Sequence, residues 1–150
     1  MANNASDYLE LKLLQHIFSN NGGAAFTAPA TDAIYVSLHT GAPSEDGTHG
    51  TSNEVLTSGS TGYARSNASG ALTWTCASSS GTTTAVNDQA IAFPQATANY
   101  NADVTHIGIY DAATVGTGNL LFYGALTVTK TVTTGDTFQI NAGALTITLE

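Results

Sequence analysis

The densest group of potential metal ligands in this 150-residue chain is Glu45, Asp46, His49 and Glu54, with His39 a few positions upstream. Zinc requires three or four ligands converging at about 2.0–2.2 Å, and its sites usually announce themselves by histidines four apart on a helix or by paired cysteines. The sequence has neither pattern. Glu45 and Asp46 could offer oxygens to a hard cation such as Ca²⁺, but a solvated acidic loop is the plainer reading, and no metal or cofactor is expected.

Nucleophilic chemistry is no better supplied. Residues 58–62 read SGSTG rather than the nucleophile elbow G-x-S-x-G, and neither a phosphate-cradling G-x-x-x-x-G-K-[ST] nor a dinucleotide G-x-G-x-x-G occurs. Cys76, two residues after Trp74 and without a basic neighbour in sequence to lower its pKa, reads as a buried, inert thiol. His106, inside VTHIGIYDA, reads as a structural histidine, and Asp111 as the cap of the turn DAATVGTGN. No catalytic residue is assigned and no enzymatic activity is expected. Arg65, in GYAR, stands out because Lys12 and Lys130 are the only other cations. It can clamp an acid or an aromatic ring within the chain, or it can contact a second subunit.

Charge narrows the partners. Three cations against eleven acids give a net charge of −8, with no basic patch to neutralise phosphates or hold an anionic membrane. Nucleic acid and membrane are therefore not expected as partners. One cysteine cannot close an intramolecular disulfide, and no apolar run approaches the 18 or more residues of a spanning helix. The first residues carry no basic region followed by an apolar stretch, so they read as part of a soluble protein without an export signal.

These residues must be positioned by a mostly uncharged chain: Ala, Gly, Ser, Thr and Asn fill 85 of the 150 positions. The first 25 residues form an N-terminal helix and linker, and residues 26–150 a β-sandwich domain. Leu9, Leu13, Leu14, Ile17 and Phe18 recur at helical spacing and predict an amphipathic helix from about 7 to 19, with Asp7 and Glu10 resembling a capping box. Its stripe either caps the core or grips another subunit. In the second case Leu9, Leu13, Ile17 and Phe18, with Arg65, are the interface residues. After the helix the hydrophobic period becomes 2. Strands are expected at 33–39, 54–57, 63–67, 71–77, 90–93, 104–110, 120–126, 128–133, 138–141 and 144–149, with hairpins at Gly135 and at 141–143. Loops are expected at 41–53 and 78–84. Strands separated by turns every 8–12 residues imply an all-β fold, a single antiparallel β-sandwich or jelly-roll-like domain carrying one helix.

The order YLELKLLQHIF, FTAPATDAIYVSLHTGAPSEDG, EV, GYAR, VTHIGIYDAA, GNLLFYGALTVTKTV and TGDTFQINAGALTITLE resembles a family of small virion proteins of tailed bacteriophages. Its members are often labelled tail fibre protein, and the chain is also similar to capsid decoration, or cement, proteins. The resemblance covers nearly the whole chain, departing in the Ser/Thr/Gly-rich stretch 66–87. It implies a virion structural protein made in the host cytoplasm. The first expectation is a cement protein on the capsid surface, with the major capsid protein and copies of itself, as dimer or trimer, for partners. Tail or fibre placement comes second. A carbohydrate-binding module using exposed aromatics such as Trp74 or Tyr100 is the rival from another class, although Trp74 shares a strand face with Leu72 and Cys76 and reads as core.

Overall fold

The computed structural model describes residues 3–18, 34–44, 53–57, 60–69, 74–79 and 82–149. The loop acids Glu45 and Asp46, and His49 with them, lie outside these residues.

Strand β1 (Asn3–Ala5) leads directly into helix α1 (Asp7–Phe18). Ser6 is the cap: the Leu9 N–H donates to its Oγ at 3.3 Å, the N3 bond of an N-cap serine. The same hydroxyl donates to the Leu120 carbonyl, so Ser6 rather than an Asp7–Glu10 box starts the helix and ties it to the sheet. After α1 come β2 (Tyr35–His39), β3 (Ser66–Asn67), β4 (Trp74–Ser79), β5 (Thr82–Asn87), β6 (Ile91–Ala92), β7 (Val104–Tyr110), β8 (Leu120–Lys130), β9 (Gln139–Ile140) and β10 (Thr146–Leu149). Among the described residues all pairings are antiparallel and form three sheets, ordered β1-β8-β7-β2-β3, β10-β5-β4 and β6-β9. The fold is all-β with one short helix, consistent with the expected sandwich.

The β2–β7 register sorts the side chains, because residues directly opposite share a face and successive residues alternate. Val36 pairs with Ile109 and Leu38 with Ile107, which makes one face aliphatic. Ser37 pairs with Gly108 and His39 with His106, which makes the other face polar. The aliphatic face meets a core of Val55, Tyr63, Phe93, Tyr100, Val104, Val132, Ile140 and Leu145. A second cluster, Leu9 with Ile109 and Leu121, is covered by Trp74 from β4 and Ile147 from β10. Leu121 owes its place to a bulge: Ile109 faces Phe122 while Tyr110 faces Leu120, leaving one extra residue that packs against the helix.

Several expectations change. The runs 120–126 and 128–133 give one continuous strand, β8, to Lys130. Residue 54 makes only an isolated bridge with His39, and the expected strand 63–67 is reduced to Ser66–Asn67. Residues 78 and 79 and 82–84, expected as loop, belong to β4 and β5. The turns at Gly135 and 141–143 do not join paired strands, since β9 pairs with β6 and β10 with β5. The sequence pattern marked these turns correctly, but it could not show that the chain crosses between sheets there.

Candidate functional site

Arg65 lies on the polar side of the β2–β7 sheet and is almost completely buried. Its Nε–H and Nη2–H donate to the two carboxylate oxygens of Glu54, both at 2.8 Å, in a bidentate fork. Nη1 donates to the carbonyls of Ala112 and Thr117, each at 2.9 Å, and the guanidinium sits 3.7 Å from the centre of the Tyr110 ring. Glu54 faces inward because its bridge with His39 places both on the same side. Tyr63 closes the set, its hydroxyl donating to Glu54 Oε1 at 2.9 Å while accepting the Leu38 N–H at 3.0 Å. Below Arg65, Tyr110 stacks on His39, with ring centres 6.1 Å apart and planes 13° apart. Ser37 Oγ lies within hydrogen-bond distance of both His39 Nε2, at 2.8 Å, and the Gly108 carbonyl, at 3.1 Å.

The turn that supplies two of these carbonyls is itself fixed. Asp111 accepts the Asn119 N–H at 2.6 Å and its side-chain amide at 2.7 Å. Gly118 completes the turn with φ near +77°, where an added Cβ would also strike Ala112 and Asp111.

Burial drives the electrostatics of this cluster. It pushes the Tyr110 hydroxyl up to about 12, aided by the Glu54 charge, and raises Tyr63 above the ordinary tyrosine range for the same two reasons. His106, half-buried beside the cluster's strand, is held below the usual histidine range by desolvation. Both carboxylate oxygens of Glu54 are engaged by Arg65 and Tyr63, and among the described residues no group of three or more His, Cys, Asp or Glu could hold a metal ion. The arrangement is a closed clamp that locks loop 111–119 to the sheet.

The interface residues expected from sequence are scattered by the fold. Leu9 is buried against Ile109 and Leu121, and Leu13 is partly buried on the same cluster. Phe18 is 79% exposed, while the Ile17 side chain lies outside the described residues. Arg65 makes its hydrogen bonds inside the chain, to Glu54, Ala112 and Thr117. Leu14, grouped by spacing with the inner stripe, instead points outward with Leu11. Sequence reasoning missed Glu54 as the partner of Arg65; the scarcity of cations was the available signal. Tyr100 is buried rather than available to a glycan, Trp74 is only partly buried, and Cys76 is exposed rather than core. Cys76 differs from expectation because β4 overhangs an apolar cleft of about 350 Å³ instead of a filled core. Ile34, Trp74, Cys76, Phe122 and Ile147 are among its walls.

The fold is an antiparallel all-β one whose Arg65–Glu54–Tyr63 network is turned inward. The chain belongs to the Gp80 family, described as podophage GP4 fiber I protein gp80, which it matches over residues 4–148. It is thus a phage fibre-type virion structural protein. Comparison with curated proteins returns no match. Among the described residues no helix is long and apolar enough to cross a membrane.

Proposed function

We propose that this protein is a component of the phage tail fibre, acting by non-catalytic contact with other fibre or tail proteins and with copies of itself. The observation that carries the reading is the family match: it runs along nearly the whole chain, and the family is described as a fibre protein. That description supports the tail over the capsid surface, the reverse of the order expected from the sequence. The surface chemistry supports adhesion through hydroxyls, amides and single apolar side chains such as Leu11, Leu14, Leu56 and Val128, which are exposed.

The test is stoichiometry and position in purified virions. Quantitative mass spectrometry should find the protein at the level of tail-fibre components, a small fraction of the major capsid protein, and gold-labelled antibody should decorate tails. Abundance comparable to the major capsid protein, with label over the whole head, would establish the cement role instead.

A further inference from the structure

We propose that two copies of this chain pair through strand β4, edge to edge and antiparallel, about a twofold axis at Cys76. This rests on the reading that copies of the protein adhere to one another, and it names the surface.

Among the described residues β4 is the longest strand at a sheet edge, six residues against four in β10, three in β1 and two in β3. Thr75 to Ser79 are exposed without exception. An open edge carries unpaired N–H and C=O groups, and monomeric proteins blunt such edges with charges, proline or bulges. Here there is none of these. From Ser66 to Asn87 the chain contains no charged residue and no proline, and β4 pairs with β5 in unbroken register. For a molecule of net charge −8, a strand with no charged residue of its own keeps repulsion between copies low, the one carboxylate hydrogen-bonded to it being Asp88, which accepts the Thr75 hydroxyl at 3.0 Å.

The backbone fixes which residues would pair. The Asn87 N–H donates to the Leu145 carbonyl at 3.2 Å, and its own carbonyl accepts from the Gly143 N–H at 2.7 Å, so both groups point away from β4. Trp74, opposite Asn87, is therefore in a non-hydrogen-bonded pair, and its main-chain groups point out to the free edge. By alternation those of Cys76 and Ser78 do the same. A twofold centred on Cys76 matches Trp74 with Ser78 of the second copy, Cys76 with Cys76, and Ser78 with Trp74. That gives three hydrogen-bonded pairs, more than a twofold centred on Thr75 or Ala77 provides. The cleft supplies the second reason. Trp74 and Cys76 line it from β4, so joining two three-stranded sheets extends the roof over both apolar clefts and covers surface that one copy leaves open.

Because Cys76 is the only cysteine, the full-length wild-type chain reports on its own interface. The Cβ atoms of a hydrogen-bonded antiparallel pair lie about 5.5 Å apart, beyond the roughly 3.5–4.5 Å that a disulfide spans but within reach of a short bifunctional thiol reagent. Light scattering should give a mass near twice 15.3 kDa. A short bismaleimide, each of whose two alkenes adds one Cys76 S–H with no oxidant needed, should join the two copies into a covalent dimer resolved on a denaturing gel. Ser78→Pro removes one edge donor, and Cys76→Glu sets two carboxylates across the axis; both should be monomeric with the β-sheet circular dichroism and cooperative melting retained. A monomeric wild type would overturn self-association itself. An oligomer that forms no such cross-link and is unmoved by either variant would overturn the β4 pairing while leaving self-association standing.

Discussion

The clamp turns on single atoms. Arg65 has four hydrogen bonds and a ring contact inside the protein, and Glu54 has three donors on its carboxylate. Removing one member of a buried ion pair leaves the other charge uncompensated, which costs about 3–5 kcal/mol, more than the pair itself contributes over a hydrophobic replacement. Arg65→Ala should therefore destabilise by that amount in urea unfolding, whereas Arg65→Ala combined with Glu54→Ala should cost clearly less than the two single changes summed. Equal costs would mean that the two side chains do not act as a unit. Arg65→Lys should fail as a substitute, since an ammonium cannot fork to both carboxylate oxygens and still reach the Ala112 and Thr117 carbonyls. Tyr110 adds a pH dependence. Its hydroxyl pKa is raised from about 10 in the unfolded chain to about 12 in the fold, so the unfolded state loses its proton first. Stability from this group is complete below pH 10 and falls as pH rises from 10 to 12. Melting temperatures across that range should drop for the wild type and drop less for Tyr110→Phe.

At the scale of elements, helix α1 carries two apolar faces with different tasks. Leu9 is 4% exposed whereas Leu11 and Leu14 are 54% and 55% exposed. Leu9→Ala opens a cavity under the helix and should cost about 2–5 kcal/mol, while Leu11→Gln and Leu14→Gln should stay within about 0.5 kcal/mol. Chemical denaturation of the three variants separates the faces, and equal losses would contradict the packing. Removing residues 1–22 should go further. It deletes β1 from the edge of the five-stranded sheet and uncovers Ile109 and Leu121, so cooperative melting should be lost. Much of this element was legible in the sequence, because a 3.6-residue period followed by a 2-residue period separates helix from strands with no knowledge of contacts. The outward set was not legible, because five leucine, isoleucine and phenylalanine positions made so broad a stripe that Leu14 fell within it. The clamp was half legible. A scarce arginine implied a partner, but Glu54 is eleven residues away along an irregular segment, and only the bridge to His39 turns it inward. Cys76 was misplaced because an alternating strand pattern tells which residues share a face, not whether that face is filled.

At the scale of the whole molecule, the charged groups are few and the Arg65–Glu54 ion pair is buried, which decides how assembly responds to solution conditions. Contacts made by exposed ion pairs weaken as salt rises, since the screening length shrinks from about 10 Å at 0.1 M to about 3 Å at 1 M. This chain cannot build many such contacts: of its three cations, Arg65 is internal, leaving Lys12 and Lys130 against acids that outnumber them. Two copies instead approach with the same net charge of −8, and what salt screens is their mutual repulsion. Hydrogen-bonded strand edges and apolar side chains are left to carry the attraction, and added salt weakens neither. Self-association should therefore hold or tighten between low and high salt, and its dissociation constant, measured by sedimentation at several sodium chloride concentrations, should not rise. A constant that climbs steeply with salt would mean that charged side chains carry the contact, and would take the neutral surface out of the assembly argument.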